Sequence, residues 1–138
     1  MTLTKLREKW DSFDVVKALL ANKPEDKDII SCSIPVLHSA LFKLKKSKKY
    51  RQFFDSYLFE DRIDYQYSRA FQTDLSNLEL SGHLSTINPD FVNYTIQPKL
   101  KRTYELYTKD KFSLSERDLI REMGKKFFNE IGKSEQRA

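Results

Sequence analysis

Hydrophobic residues recur along most of this chain at helical spacing. Leu3, Leu6, Trp10, Phe13, Val16 and Leu20 follow one another at steps of three and four, the period that lines one face of an α-helix. Asp11-Ser12 offers a point at which the run splits into two shorter helices, and Asn22-Lys23-Pro24 ends it. Ser33 is placed to cap a second helix, with Pro35 in the first turn where its missing N–H costs nothing and Ile34, Leu37, Leu41 and Leu44 as the buried stripe. After a surface turn near Ser47, Tyr50, Phe53, Phe54, Tyr57 and Leu58 resume helical spacing, and Glu60, Asp61 and Asp64 follow as an acidic loop.

Ser68 predicts the N-cap of a third helix in which Phe71, Leu75 and Leu78 share one face, and Gly82 supplies a left-handed C-cap. The pattern then changes period. His83 to Ile87 and Phe91 to Ile96 are short β-prone runs, with Val92, Tyr94 and Ile96 alternating toward one face. Asn88-Pro89-Asp90 between them suits a type I turn, so the two runs predict a β-hairpin. Pro98 opens a further helix carrying Leu100, Tyr104 and Tyr107, with a third strand as the alternative. In the last helix Ser113 and Glu116 match a capping box, Leu119, Ile120, Met123, Phe127 and Ile131 line one face, and Gly132 closes it.

Composition narrows the fold. A chain of 138 residues is of single-domain size, so residues 1–132 are expected to form one domain and 133–138 a polar tail. The apolar share of 39% and the aromatic share of 13% argue against intrinsic disorder. With only three Gly and four Pro, tight turns are few and a helix-rich fold is favoured over a barrel or sandwich. The expected fold class is therefore mainly α with a small antiparallel β-hairpin. No apolar run approaches the ~20 residues a membrane span needs, and Met1 to Trp10 is charged, so neither a membrane span nor a signal peptide is expected. Cys32 is the sole cysteine, which excludes an internal disulfide and suits a reducing cytoplasm.

Candidate chemistry is sparse. His38 sits within a helix and His83 at the start of the hairpin, with no partner set around either. Cys32 and His38 lack any cysteine-enzyme signature. Gly82, Gly124 and Gly132 are far apart, so no glycine-rich phosphate loop is expected. The acidic residues at 60, 61 and 64 lack the central Gly and terminal Glu of a calcium loop. No catalytic residue, metal or cofactor is expected. The net charge of +5 is compatible with nucleic acid or with acidic partners, and Lys43, Lys45, Lys46, Lys48, Lys49 and Arg51 concentrate it where a helix C-terminus favours cations.

The order of helix, shorter helix, acidic loop, capped helix and hairpin over about residues 34–96, ending in LSNLELSGHLSTINPDFVNYTI, resembles the winged helix-turn-helix superfamily. The resemblance implies a winged-helix-like domain with additional N- and C-terminal helices, in which Ser68 to Leu80 is the recognition helix and Leu84 to Ile96 the wing. It implies a regulatory protein that binds double-stranded DNA, with Arg69, Gln72, Thr73, Ser76 and Asn77 reaching bases. Lys45, Lys46, Lys48, Lys49 and Arg51 would then reach phosphates. The wing carries no basic residue and the presumed reading helix carries one, Arg69, beside Asp74 and Glu79. The alternative is a protein-interaction adaptor, or an antitoxin-like accessory component, that uses the same fold to bind a partner protein or a second copy of itself through surplus aromatic side chains.

Overall fold

Asp11 opens the first helix of the computed structural model, which describes residues 10–86 and 92–137. Its carboxylate accepts the Asp14 N–H at 2.9 Å while Asp14 accepts the Asp11 N–H at 3.1 Å, a reciprocal cap. The expected break at Asp11-Ser12 is thus the start of α1 (Ser12–Ala21); Leu3 and Leu6 lie outside the described residues. Helix α1 is buried on more than one face, through Val15, Val16, Ala18, Leu19, Leu20 and Ala21.

Strand β1 (Ile29–Cys32) follows, an element the spacing does not announce. It buries Ile30 and Cys32 and exposes Ile29 and Ser31, the alternation of a half-covered strand. Helix α2 (Ile34–Lys46) is as expected, with Ser33 Oγ accepting the Val36 N–H at 3.4 Å and Leu37, Ala40, Leu41 and Leu44 buried. The aromatic run beyond it is shorter than its spacing predicts. A 3-10 turn covers Arg51–Phe54, burying Tyr50, Phe53, Phe54 and Tyr57 but leaving Leu58 77% exposed. The acidic segment is not a plain loop either: β2 (Glu60–Asp61) pairs antiparallel with β3 (Gln66–Tyr67).

Helix α3 (Arg69–Leu80) begins at Ser68, whose Oγ accepts the Phe71 N–H at 3.1 Å. It ends at Gly82, which at φ +82° is the one residue of positive φ among those described. The chain turns there into β4 (Leu84–Thr86), which pairs with β5 (Val92–Ile96) as the hairpin reading requires. The turn at Asn88-Pro89-Asp90, with Ile87 and Phe91, lies outside the described residues. Strand β5 is central, since β1 adds to its other edge with Ile30 opposite Tyr94, so the order is β1-β5-β4.

Helix α4 (Pro98–Thr103) buries Leu100 and runs into a π-turn over Tyr104–Thr108. The wider turn slips the helical phase, so Tyr104 is buried and Tyr107, expected on the same face, is 72% exposed. Helix α5 (Leu114–Arg137) has the expected capping box, with Glu116 accepting the Ser113 N–H at 2.8 Å and Ser113 Oγ accepting the Glu116 N–H at 3.1 Å. It does not stop at Gly132, because that residue lacks the left-handed conformation a glycine cap uses. The polar segment after it continues the helix through Arg137. One core runs from α1 and α2 through the aromatic run to α3, β5, Tyr104 and the inner face of α5.

Candidate functional site

Helix α3 is held by two buried polar contacts, and these decide which of its side chains face outward. His38, fully buried on α2, accepts the Ser68 backbone N–H at its Nδ1 over 3.1 Å. A backbone N–H can only donate, so Nδ1 carries no proton and the hydrogen on Nε2 is donated to Gln72 Oε1 at 2.9 Å. The Gln72 amide reaches on to the Tyr94 hydroxyl at 3.5 Å. The His38 ring stacks on Tyr67, with centroids 4.5 Å apart, and meets Phe71 edge-on at 5.0 Å. The Arg62 guanidinium lies 4.2 Å from the centre of the Tyr67 ring. Gln72, expected to read bases, is therefore turned inward: it bridges α2 to β5, because a buried imidazole needs its second nitrogen satisfied.

Burial holds the His38 imidazole below its ordinary value of 6.5, opposed by the Gln72 hydrogen bond and reinforced by the Arg62 charge. The native protein then binds fewer protons than the unfolded chain once the pH drops below that value. Stability should be complete above about pH 6.5 and be lost as the pH falls through the native His38 value. Urea midpoints measured near pH 7.5 and near pH 5 should show the lower one in acid. Replacing His38 with phenylalanine should reduce that difference; His83, also held low by burial, contributes to what remains.

The second contact is at Asp74, whose carboxylate accepts the Tyr57 hydroxyl. Burial raises the Asp74 carboxyl above its usual range, against the lowering effect of that hydrogen bond. Arg69, Thr73, Ser76 and Asn77 remain exposed, as expected for the outer face of α3. Arg69 is the lone cation on this helix and lies 4.0 Å from Glu60 of β2, while Glu79 accepts the Thr86 hydroxyl from the hairpin. An open groove of about 640 Å³ runs between this face and the segment preceding β2. Leu58, Phe59 and Ala70 provide its apolar lining, and Glu60, Arg69 and Asp74 its charges. Leu58, expected to continue the helical spacing of the aromatic run, is exposed and lines the groove.

Two members of the basic segment are directed away from the groove. Lys43 pairs with Glu130 at 2.5 Å and Lys49 with Glu122 at 2.8 Å, so both reach α5 rather than α3. Lys45 donates to the Tyr57 carbonyl at 2.5 Å and lies over the Phe59 ring, which makes it the member nearest the groove. Lys46 sits over Phe42, and Lys48 and Arg51 are exposed. With a rise of ~1.5 Å per residue, Lys46 is roughly 12 Å along α2 from the His38 crossing with α3. Of the residues expected to reach phosphates, Lys49 is thus directed toward α5, while Lys45 lies near the groove that Arg69 and Thr73 of α3 line.

His83 sits in a chain of hydrogen bonds at the end of α3. Ser81 Oγ donates to the Leu78 carbonyl at 3.1 Å, which leaves it to accept from His83 Nδ1. His83 Nε2 then accepts from Thr103 Oγ1 at 3.2 Å. That polarity is the reverse of a base that activates a serine. Cys32 is buried on β1. Gly132-Lys133-Ser134 matches the final letters of a phosphate loop, which the wide spacing of the glycines conceals, but it lies inside α5 instead of between a strand and a helix. Among the described residues no group of His, Cys, Asp and Glu could hold a metal ion, and no helix is long and apolar enough to cross a membrane. Comparison with protein-family models, with curated proteins and with solved structures found no match.

Proposed function

We propose that this chain is a non-catalytic adaptor whose groove beside α3 receives a partner protein, on a winged-helix-like scaffold. The scaffold reading draws support from the passage of α3 through Gly82 into β4 and from a sheet in which β5 lies between β1 and β4. The interaction reading rests on one observation above the rest: beside α3 lies an open apolar groove with Leu58 77% exposed, while the helix face bordering it has a single cation. An exposed leucine next to a well-supported concavity suits a desolvated anchor contact. Base reading through α3 has weaker support, since phosphate neutralisation supplies much of the affinity for duplex DNA, Glu60 and Asp74 line the same groove as Arg69, and Glu79 adds a further negative charge to the helix. A cytoplasmic setting without cofactor fits this role.

The test is recovery of partners by the full chain from its source cells, compared with Leu58→Glu and with Lys48→Glu as a distant control. Leu58→Glu should lower recovery of a specific partner at least about 30-fold, the loss of one anchor worth ~2 kcal/mol. Lys48→Glu should leave it unchanged. Both side chains are exposed, so thermal midpoints should stay within a few degrees. A doubled mass in size-exclusion chromatography that reverts with Leu58→Glu would identify the partner as a second copy. An unchanged set of partners after Leu58→Glu would remove the groove from consideration.

A further inference from the structure

The contacts between α2 and α5 gather lysines into one array beside the two helices. On α5, Glu122, Lys126, Glu130 and Lys133 recur at steps of three and four and so share one face. Glu130 is shared by Lys43 at 2.5 Å and Lys133 at 3.5 Å. Glu122 takes Lys49 at 2.8 Å and the Tyr50 hydroxyl at 2.9 Å. The ammonium groups of Lys49 and Lys126 lie 5.9 and 5.1 Å from the centre of the Tyr50 ring. A cleft of about 230 Å³ between the two helices is lined by Lys43, Tyr50, Lys126 and Asn129 among others. The two carboxylates therefore pair with three lysines, Lys43, Lys49 and Lys133, while Lys126 lies over Tyr50, so the set keeps a net positive charge, and Lys46, Lys48, Arg51 and Lys125 are exposed in addition.

This face offers charge and almost nothing else. The large apolar side chains that are exposed, Leu58, Ile63, Leu80, Leu106, Tyr107 and Leu114 among them, all lie off α2 and off the 121–133 stretch of α5, and Tyr50 is buried. A folded acidic protein gains little from such a face, because exposed ion pairs are each worth at most ~1 kcal/mol. A membrane would find no large, fully exposed apolar side chain to insert, since Phe127, Phe128 and Ile131 are buried in the core and Phe42 is half-buried. A nucleic acid differs in kind: its linear charge density condenses counterions, and each lysine that replaces one gains affinity from its release. We infer that the α2–α5 face binds the phosphodiester backbone of nucleic acid without regard to sequence, away from α3 and independently of the groove proposed above.

Binding of the full chain to a labelled mixed-sequence DNA duplex of about 20 base pairs, followed by fluorescence anisotropy between about 50 and 200 mM salt, tests this. With about five phosphates engaged, affinity should fall roughly 300- to 1000-fold over that range. The triple variant Lys46→Gln, Lys48→Gln, Lys126→Gln should flatten the salt slope by about three, whereas the matching arginine triple should keep it. Ser76→Ala with Asn77→Ala on α3 should change neither affinity nor slope. A single strand of the same length should bind with a shallower slope, as its lower charge density requires. The inference is overturned if the duplex is not retained at the lowest salt, or if the glutamine triple keeps the full slope. It is likewise overturned if the α3 pair abolishes binding, or if a poly-glutamate peptide or anionic vesicles bind as tightly as the duplex.

Discussion

Truncating Phe71 to alanine is expected to lower the free energy of unfolding by about 3–5 kcal/mol, the largest effect of any single change on the α3 face. The ring is 1% exposed and meets His38 at 5.0 Å and Tyr57 at 5.9 Å. It therefore joins α3 at once to α2 and to the aromatic run that precedes β2. Its removal leaves a cavity that aromatic neighbours on two sides cannot collapse to fill. In a chain of this size the loss should lower the thermal midpoint by roughly 10–15 °C, measurable by circular dichroism. A change below about 1 kcal/mol would mean that α3 is anchored by something other than this ring.

Replacement of His38 by alanine is expected to cost about 3 kcal/mol through a different route. The Ser68 N–H, at the start of α3, loses its acceptor inside the protein, and Gln72 loses the donor to its carbonyl oxygen. A buried donor left unmet costs about 1–3 kcal/mol, and the vacated ring volume adds the rest. His38→Phe separates the two, since it keeps a ring against Tyr67 and Phe71 but satisfies neither hydrogen bond; it should cost about 2 kcal/mol. Because His38 and Phe71 touch, the double alanine variant should lose less than the sum of the single losses, by at least ~0.5 kcal/mol. Denaturant titrations of the two single variants and the double variant give the coupling directly, and strict additivity would show that the two contacts act separately.

These energetics bear on function through the placement of Gln72. A glutamine on the solvent side of a capped helix is free to contact a base, whereas one that completes a buried imidazole's hydrogen bonding is committed to the fold. Periodicity alone does not separate the cases: Phe71, Leu75 and Leu78 mark the buried stripe, and Gln72 is adjacent to it. The signal that does separate them is His38 on another helix, a buried ring with two nitrogens to satisfy, and its distance from Gln72 in the chain hides the pairing. Leu58 shows the opposite error. Its spacing from Phe54 suggests a buried position, but the 3-10 turn ends before it, and the residue becomes the exposed apolar side of the groove.

The basic residues carry the same lesson about surfaces. Their clustering between Lys43 and Arg51 is plain in the sequence, but the face they occupy depends on Glu122 and Glu130, which belong to a helix far along the chain. Lys126 and Lys133, which complete the array, attract no notice in the sequence because α5 alternates charges along its exposed side.

Local chemistry settles the helices in advance. Ser33 and Ser68 at the starts of α2 and α3, Gly82 at the end of α3, and Ser113 with Glu116 each satisfy helix-terminal backbone groups from within a few residues, so α2, α3 and the start of α5 are determined without reference to the rest of the molecule. The β4–β5 hairpin is likewise a short-range matter. Strand β1 is not, since its hydrogen bonds go to β5 and only closure of the domain supplies that partner. The π-turn after α4, the inward turn of Gln72, the exposure of Leu58 and the gathering of lysines on α5 are also decided in three dimensions. Each depends on groups distant in sequence whose burial or pairing is paid for only once the core has assembled.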